Sequence, residues 1–186
     1  MVRSGKCSAE PVLPRKGPMR SIATTFLCCA VVTLAACSTP YTPRPDRPFE
    51  AIAAEFTSSQ SIALRNAQPN KEEVTSGRWR IDYNAWTDVA IAIADRELKK
   101  RGMTIAGDAG KTLDLAIESA VTESGFVKIT STIELKVTTG DGYAGTYTGV
   151  NSSSMMANFE RQIDGAMMRC VVQMLSDPRI VAYLTQ

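Results

Sequence analysis

Chemistry in this chain is bounded first by what it lacks. There is no histidine among its 186 residues. That excludes Ser-His-Asp and Cys-His nucleophilic catalysis and removes the commonest transition-metal ligand. Five cysteines are present: Cys7, Cys28, Cys29, Cys37 and Cys170. Cys170 falls on the apolar stripe of a predicted helix, which marks a packing residue rather than a nucleophile. Gly110-Lys111-Thr112 matches the end of a phosphate-binding loop, but the Gly required five residues earlier is Ile105, and the segment leads into a strand, so Gly107 to Gly110 reads as a turn. Asp82, Asp88 and Asp95 lie on or near one predicted helix. Paired carboxylates hydrolyse glycans only where they converge, and solvated helix charges are the plainer reading. Asp141-Gly142 lacks the further acids of a calcium loop. Asn151-Ser152-Ser153 fits a glycosylation sequon, though a helix cap is the simpler role. No catalytic residue, metal ligand or cofactor is expected.

Two places remain. Arg78-Trp79-Arg80 sets an aromatic among cations, the pattern of an interface anchor or of a contact with anionic headgroups. Trp79 equally alternates inward with Ile81 if the segment is a strand. The other place is Cys37, because of what precedes it. Basic residues are followed by an apolar run from Ile22 to Ala36, broken only by Thr24, Thr25 and Thr33. The run is roughly 15 residues against the about 20 a spanning helix needs, so it reads as a signal h-region. It ends Leu34-Ala35-Ala36-Cys37. This tetrapeptide resembles the lipobox of bacterial lipoproteins. The resemblance implies cleavage between Ala36 and Cys37, with the Cys37 thiol taking a diacylglycerol and two or three acyl chains in all. It also implies a membrane partner reached through those chains. One chain anchors weakly and several anchor durably. Ser38, which is not the Asp of inner-membrane retention, favours the outer membrane. Met19-Arg20 directly precedes the run, and Met19 is the expected true start.

Charge agrees with an anchor rather than a nucleic-acid partner. Of the 21 basic and 19 acidic residues, Arg3, Lys6, Arg15, Lys16, Arg20 and Glu10 precede Cys37. That leaves 16 basic and 18 acidic residues, a balance of about −2, where phosphate binding needs a basic footprint. With Cys37 acylated, Cys170 is the lone remaining thiol, and no disulfide forms within the mature part.

The expected organisation is a signal peptide over 1–36, an acylated Cys and Pro-rich tether over 37–48, and a single periplasmic α+β domain over 49–186. Pro40, Pro43, Pro45 and Pro48 favour extended polyproline geometry, which at about 3.1 Å per residue would hold the domain on the order of 30 Å from the headgroups.

Elements follow from periodicity. Phe49 to Phe56 reads as a short helix and Ser61 to Asn66 as a strand. Tyr83 to Arg101 reads as a helix capped by Asp82 or Asn84, with Trp86, Val89, Ala90, Ile93 and Ala94 inside, Leu98 flanking, and Asp88, Asp95 and Glu97 lying elsewhere. Gly102 suits its left-handed stop. Leu113, Leu115, Ile117 and Val121 share one strand face opposite Asp114 and Glu118. Val127, Ile129, Ile133, Leu135 and Val137 share another. Turns fall at Glu123-Ser124-Gly125 and at Thr139 to Gly142, before a strand over Tyr143 to Val150. A last long helix opens at Ser152 to Ser154 with Phe159, Ile163, Met167, Cys170, Val171 and Met174 inward. It ends at Asp177-Pro178, and Ile180, Val181 and Leu184 pack back. These elements predict a two-layer sandwich, a mostly antiparallel sheet of about four strands with two main helices on one face.

Leu98 to Gly102, Leu113 to Val150 and Asp177 to Leu184 give a helix closing on Lys-Arg-Gly, a meander, and a tail with Asp then Tyr-Leu. That arrangement resembles small YajG-like outer-membrane lipoproteins and carries no catalytic residue over. The expected role is a non-enzymatic accessory to another envelope component, with an envelope protein as the expected partner, docking by strand addition. The alternative is a lipid- or glycolipid-binding protein whose Met155, Met156, Met167, Met168 and Met174 enclose an apolar cavity.

Overall fold

The structure, a computed structural model, describes residues 39–46, 55–69, 73–76, 79–154 and 160–186. The expected leader, the Leu34 to Cys37 tetrapeptide, Arg78, Met155, Met156 and Phe159 lie outside the described residues. So does the expected helix over 49–56 except for Glu55 and Phe56, which are not helical.

Eight strands and three helices are described: β1 Thr39–Pro40, β2 Ser61–Asn66, β3 Glu73–Ser76, β4 Trp79–Asp82, α1 Tyr83–Lys100, β5 Thr104–Ile105, β6 Lys111–Ser124, β7 Lys128–Thr139, β8 Ala144–Ser154, α2 Glu160–Ser176 and α3 Pro178–Thr185. The fold is α+β. Its main sheet has five strands in the order β5-β2-β6-β7-β8, and a second sheet has the order β1-β4-β3. Both sheets are mixed. β2 runs parallel to β5 and to β6, while β6-β7-β8 form an antiparallel meander. The expectation of about four mostly antiparallel strands is corrected here. Alternation reports which face a residue takes, not strand direction. The long connection through α1 is what makes β2 and β6 parallel.

Local chemistry accounts for the elements. Asp82 caps α1, its Oδ1 accepting from the Ala85 amide at 3.1 Å. Gly102, at φ 87°, supplies the left-handed stop. Trp86, Val89, Ala90, Ile93, Ala94 and Leu98 are buried as one stripe. Glu97 departs from expectation and is also buried. Burial pulls its carboxyl up, but Lys100, Arg96 and Arg101 together outweigh that and hold it below the ordinary value.

The alternation of β6 breaks at one place. Its pairing with β7 shifts between Ile117 and Ser119, a β-bulge. One extra residue reverses the faces beyond it, so Ala120 is buried and Val121, expected inside, is exposed. The turn after β6 lies at Gly125 to Lys128 rather than Glu123 to Gly125, with the Gly125 amide donating to the Lys128 carbonyl at 2.8 Å. Val127, expected inside, is therefore at the turn and exposed.

Ser152 to Ser154 do not cap a helix. They continue β8 and pair with Thr130, Ile129 and Lys128. α2 begins at Glu160 and lies against β7 and β8. It approaches β8 so closely that a Cβ on Gly149 would stand 1.9 Å from the Ala166 carbonyl oxygen. Asp177 caps α3 with Pro178 at its first turn, and Ile180 and Leu184 enter the core. α1, α2 and the inward residues of β6 and β7 share one apolar core.

Candidate functional site

Pro43 is buried, and the segment from Thr39 to Asp46 lies along the folded unit. β1 pairs in parallel with β4, Thr39 opposite Trp79 and Pro40 opposite Arg80. The Tyr41 hydroxyl donates to Asp164 Oδ1 at 2.7 Å, and the Arg44 amide donates to the same oxygen at 2.9 Å. The Trp86 indole donates to the Tyr41 carbonyl at 2.7 Å. The Arg96 guanidinium donates to the Pro45 carbonyl. Asp164 is 1% exposed on the inner face of α2, so these bonds supply partners to one oxygen of a carboxylate that burial would otherwise penalise. The expected free tether is thus corrected. Proline favours the extended path, but Tyr41 and the backbone of the segment bind the domain, so residues 39–46 pack on it.

Trp79 sits inside this arrangement. It is 6% exposed, and its ring lies 5.6 Å from that of Tyr41. Of its two alternatives, the inward one with Ile81 is what the strand adopts, and Trp79 presents no exposed anchor. Arg80 points outward to Glu73 at 3.5 Å.

The three acids of the α1 region do not converge. Asp82 caps the helix, Asp88 accepts from the Asn66 side-chain Nδ2 at 2.7 Å, and Asp95 pairs with Lys99 at 2.9 Å. Among the described residues no group of three or more Cys, Asp or Glu could hold a metal. Cys170 is fully buried, its Sγ donating to the Ile133 carbonyl at 3.2 Å. Burial pushes its thiol up to about 12. Met167, Met168 and Met174 are core residues.

Sequence reasoning missed a knot of oxygen atoms at the far end of β8. Tyr143 and Tyr147 both donate to Asp177 Oδ2 at 2.8 Å, and the Arg179 amide donates to Oδ1 at 2.8 Å. Burial pulls the Asp177 carboxyl up, yet the Arg179 amide and the two phenols outweigh it and hold it low. Burial, with the Asp177 charge, pushes the Tyr147 phenol far above its usual range. The knot closes α3 onto the sheet. The signal was available: a Tyr-x-x-x-Tyr spacing in an alternating strand puts both rings on one face.

The described surface carries concave grooves, one more polar and one more apolar. A groove of about 670 Å³ is lined by Thr57 to Gln60, Lys100 to Gly102 and Thr185. A second, of about 480 Å³, brings Ala67, Pro69 and Tyr83 against Ala116, Ile117, Glu118 and Lys136 of β6 and β7. In it Glu118 pairs with Lys136 at 3.5 Å.

Sheet edges bear on docking. β2 covers β6 only as far as Leu115. Beyond it, the Ile117 amide donates to Gln68 and Thr87, the Ala120 amide to Tyr83 and the Thr122 amide to Ser76. On β8 the Thr148 amide donates to Gln173, and the Val150 carbonyl accepts from Arg169. Side chains thus occupy the groups an added strand would use at these positions.

No protein-family description matches this chain, and no curated protein does. Among solved structures it is similar to the crystal structure of protein XCC0632 from Xanthomonas campestris, of family DUF330. The identity is 15%, the TM-score 0.47, and the match covers 79% of this chain and 95% of that one.

Proposed function

We propose that this chain is a bacterial envelope lipoprotein, acylated on Cys37, whose folded unit works in the periplasm at a membrane surface as a non-enzymatic accessory to another envelope component. The observation that carries the reading is the apolar run ending Leu34-Ala35-Ala36-Cys37, just ahead of the packed segment described from Thr39 onward. An acyl anchor needs a nucleophilic thiol between a removable leader and a folded cargo, and Cys37 is so placed. A role in binding is supported by the chain's lack of His and by the protonated, buried state of Cys170. Outer-membrane placement is part of the proposal, on Ser38, as is kinship with YajG-like lipoproteins.

The test is processing in a bacterial host. Globomycin should cause uncleaved, diacylglyceryl-modified precursor to accumulate, read by mass spectrometry of the N-terminus. Cys37→Ser should abolish both the acyl mass and the membrane fraction. A Cys37→Ser protein that is processed and fractionates as before ends the proposal. Mild crosslinking in cells should then recover one recurrent envelope protein.

A further inference from the structure

The apex of the β6–β7 hairpin breaks a local rule. The turn residues between Gly125 and Lys128 are Phe126 and Val127, where two-residue hairpin loops take Gly, Asn or Asp. Neither residue adopts the positive φ that such loops favour. Phe126 is 97% exposed and Val127 69%, so the turn is not bought by burying them. An exposed apolar pair that serves neither turn nor core points to a contact outside the chain.

The sheet register says which end of the molecule carries that apex. Thr122, two residues before the end of β6, donates its amide to Ser76 Oγ at 3.2 Å. Ser76 is opposite Trp79, and Trp79 is opposite Thr39. β1 runs parallel to β4, and β4 leads inward to α1, whose Tyr83 reaches Ala120 and whose Thr87 reaches Ile117. The chain therefore enters the folded unit at Thr39 from the apex end. Phe126 lies four residues beyond Thr122, roughly 13 Å along the strand direction. Cys37 lies two residues before Thr39, so whatever path they take, its Cα stays within about 7 Å of that of Thr39.

We infer that the Phe126-Val127 apex inserts into the same leaflet that holds the acyl chains of Cys37, giving the domain two attachment points and one fixed orientation. The inference rests on acylation of Cys37. It follows from the docked N-terminal segment, since a free tether would leave every face equally able to reach the lipid. Along the strand direction Phe126 therefore lies at least about 6 Å beyond the reach of Cys37, within the about 5–10 Å over which apolar residues enter the headgroup and upper acyl region. Glu123 and Lys128 flank the apex and offset each other in charge. The attachment is thus apolar and insensitive to salt.

The experiment uses acylated protein in vesicles of phosphatidylethanolamine and phosphatidylglycerol. A Cys is placed beside the apex (Ser124→Cys) or in the exposed loop at the opposite end (Asp108→Cys) and labelled with an environment-sensitive fluorophore. Cys37 is blocked by its thioether and Cys170 by burial. Lipids with spin labels at shallow acyl positions should quench the label at 124 and leave that at 108 bright. Phe126→Ser with Val127→Ser, both on the surface, should relieve the quenching while the protein still floats with the vesicles. An unquenched label at 124 in floated, acylated protein overturns the insertion, assigns the apex to a protein partner, and leaves the anchor standing. Absence of acyl mass on Cys37 overturns both readings.

Discussion

Replacing Gly149 with Ala tests how closely α2 must seat on β8. The added Cβ would stand 1.9 Å from the Ala166 carbonyl oxygen and 2.7 Å from Cys170 Sγ. A carbon–oxygen contact settles near 3.3 Å, so α2 must withdraw by about 1.4 Å at this point. The closest contact is with backbone, and no side-chain rotation can relieve it. Withdrawal loosens Ile163, Met167, Val171 and Met174, all at most 1% exposed. It also lengthens the bond from the Gly149 amide to Cys170 Sγ. Overpacking usually costs 1–3 kcal/mol, and a backbone clash belongs at the top, about 3 kcal/mol. For a chain of this size that lowers Tm by roughly 6–12 °C. Thermal and urea unfolding followed by Trp79 and Trp86 fluorescence measures it. Gly107→Ala is the control. A Cβ there meets nothing within 4 Å and φ is not positive, so stability should hold or rise by about 0.4–1 kcal/mol. Adding Cys170→Ala to Gly149→Ala should recover only part of the loss, since the carbonyl remains. If Gly149→Ala melts with Gly107→Ala, the seating of α2 on β8 is wrong.

Asp164→Asn should weaken the acceptor shared by Tyr41 and Arg44, and hydrogen exchange should show the Arg44 amide opening faster while the Cys170 amide stays protected. Tyr41→Phe removes one of the two bonds and should cost about 1–2 kcal/mol in urea unfolding. The carboxyls of Glu97 and Asp177 are both held low in the folded state, so the unfolded chain binds protons first as pH falls. Their contribution is full above the ordinary values of 4.5 and 3.8 and is lost as pH drops through the lower folded values. Urea midpoints should therefore fall below about pH 4.5 and less steeply in Asp177→Asn. Cys170 should resist thiol reagents at pH 8 in the native protein and react on unfolding, because burial keeps it a thiol.

The amino-acid order alone determined the types of the long elements with a clear period. The stripe from Trp86 to Leu98, the Asp82 cap, the Gly102 stop and the alternation of β7 are local, and periods of 3.6 and 2 show them directly. It also placed Cys170 and Leu184 inside, since a helix face is set by spacing. Only the tertiary structure decided what depends on partners distant along the chain. The bulge beside Glu118 reversed Val121, because register is a property of two strands. Strand direction in β2 and β6 came from the long connection between them. Glu97 went inside because Lys100, Arg96 and Arg101 surround it there. Above all, the Pro-rich segment became part of the domain because Asp164, about 120 residues away in sequence, holds Tyr41 and Arg44. Proline content reports the shape of a segment, whereas docking is decided by the acceptors that folding brings to meet it.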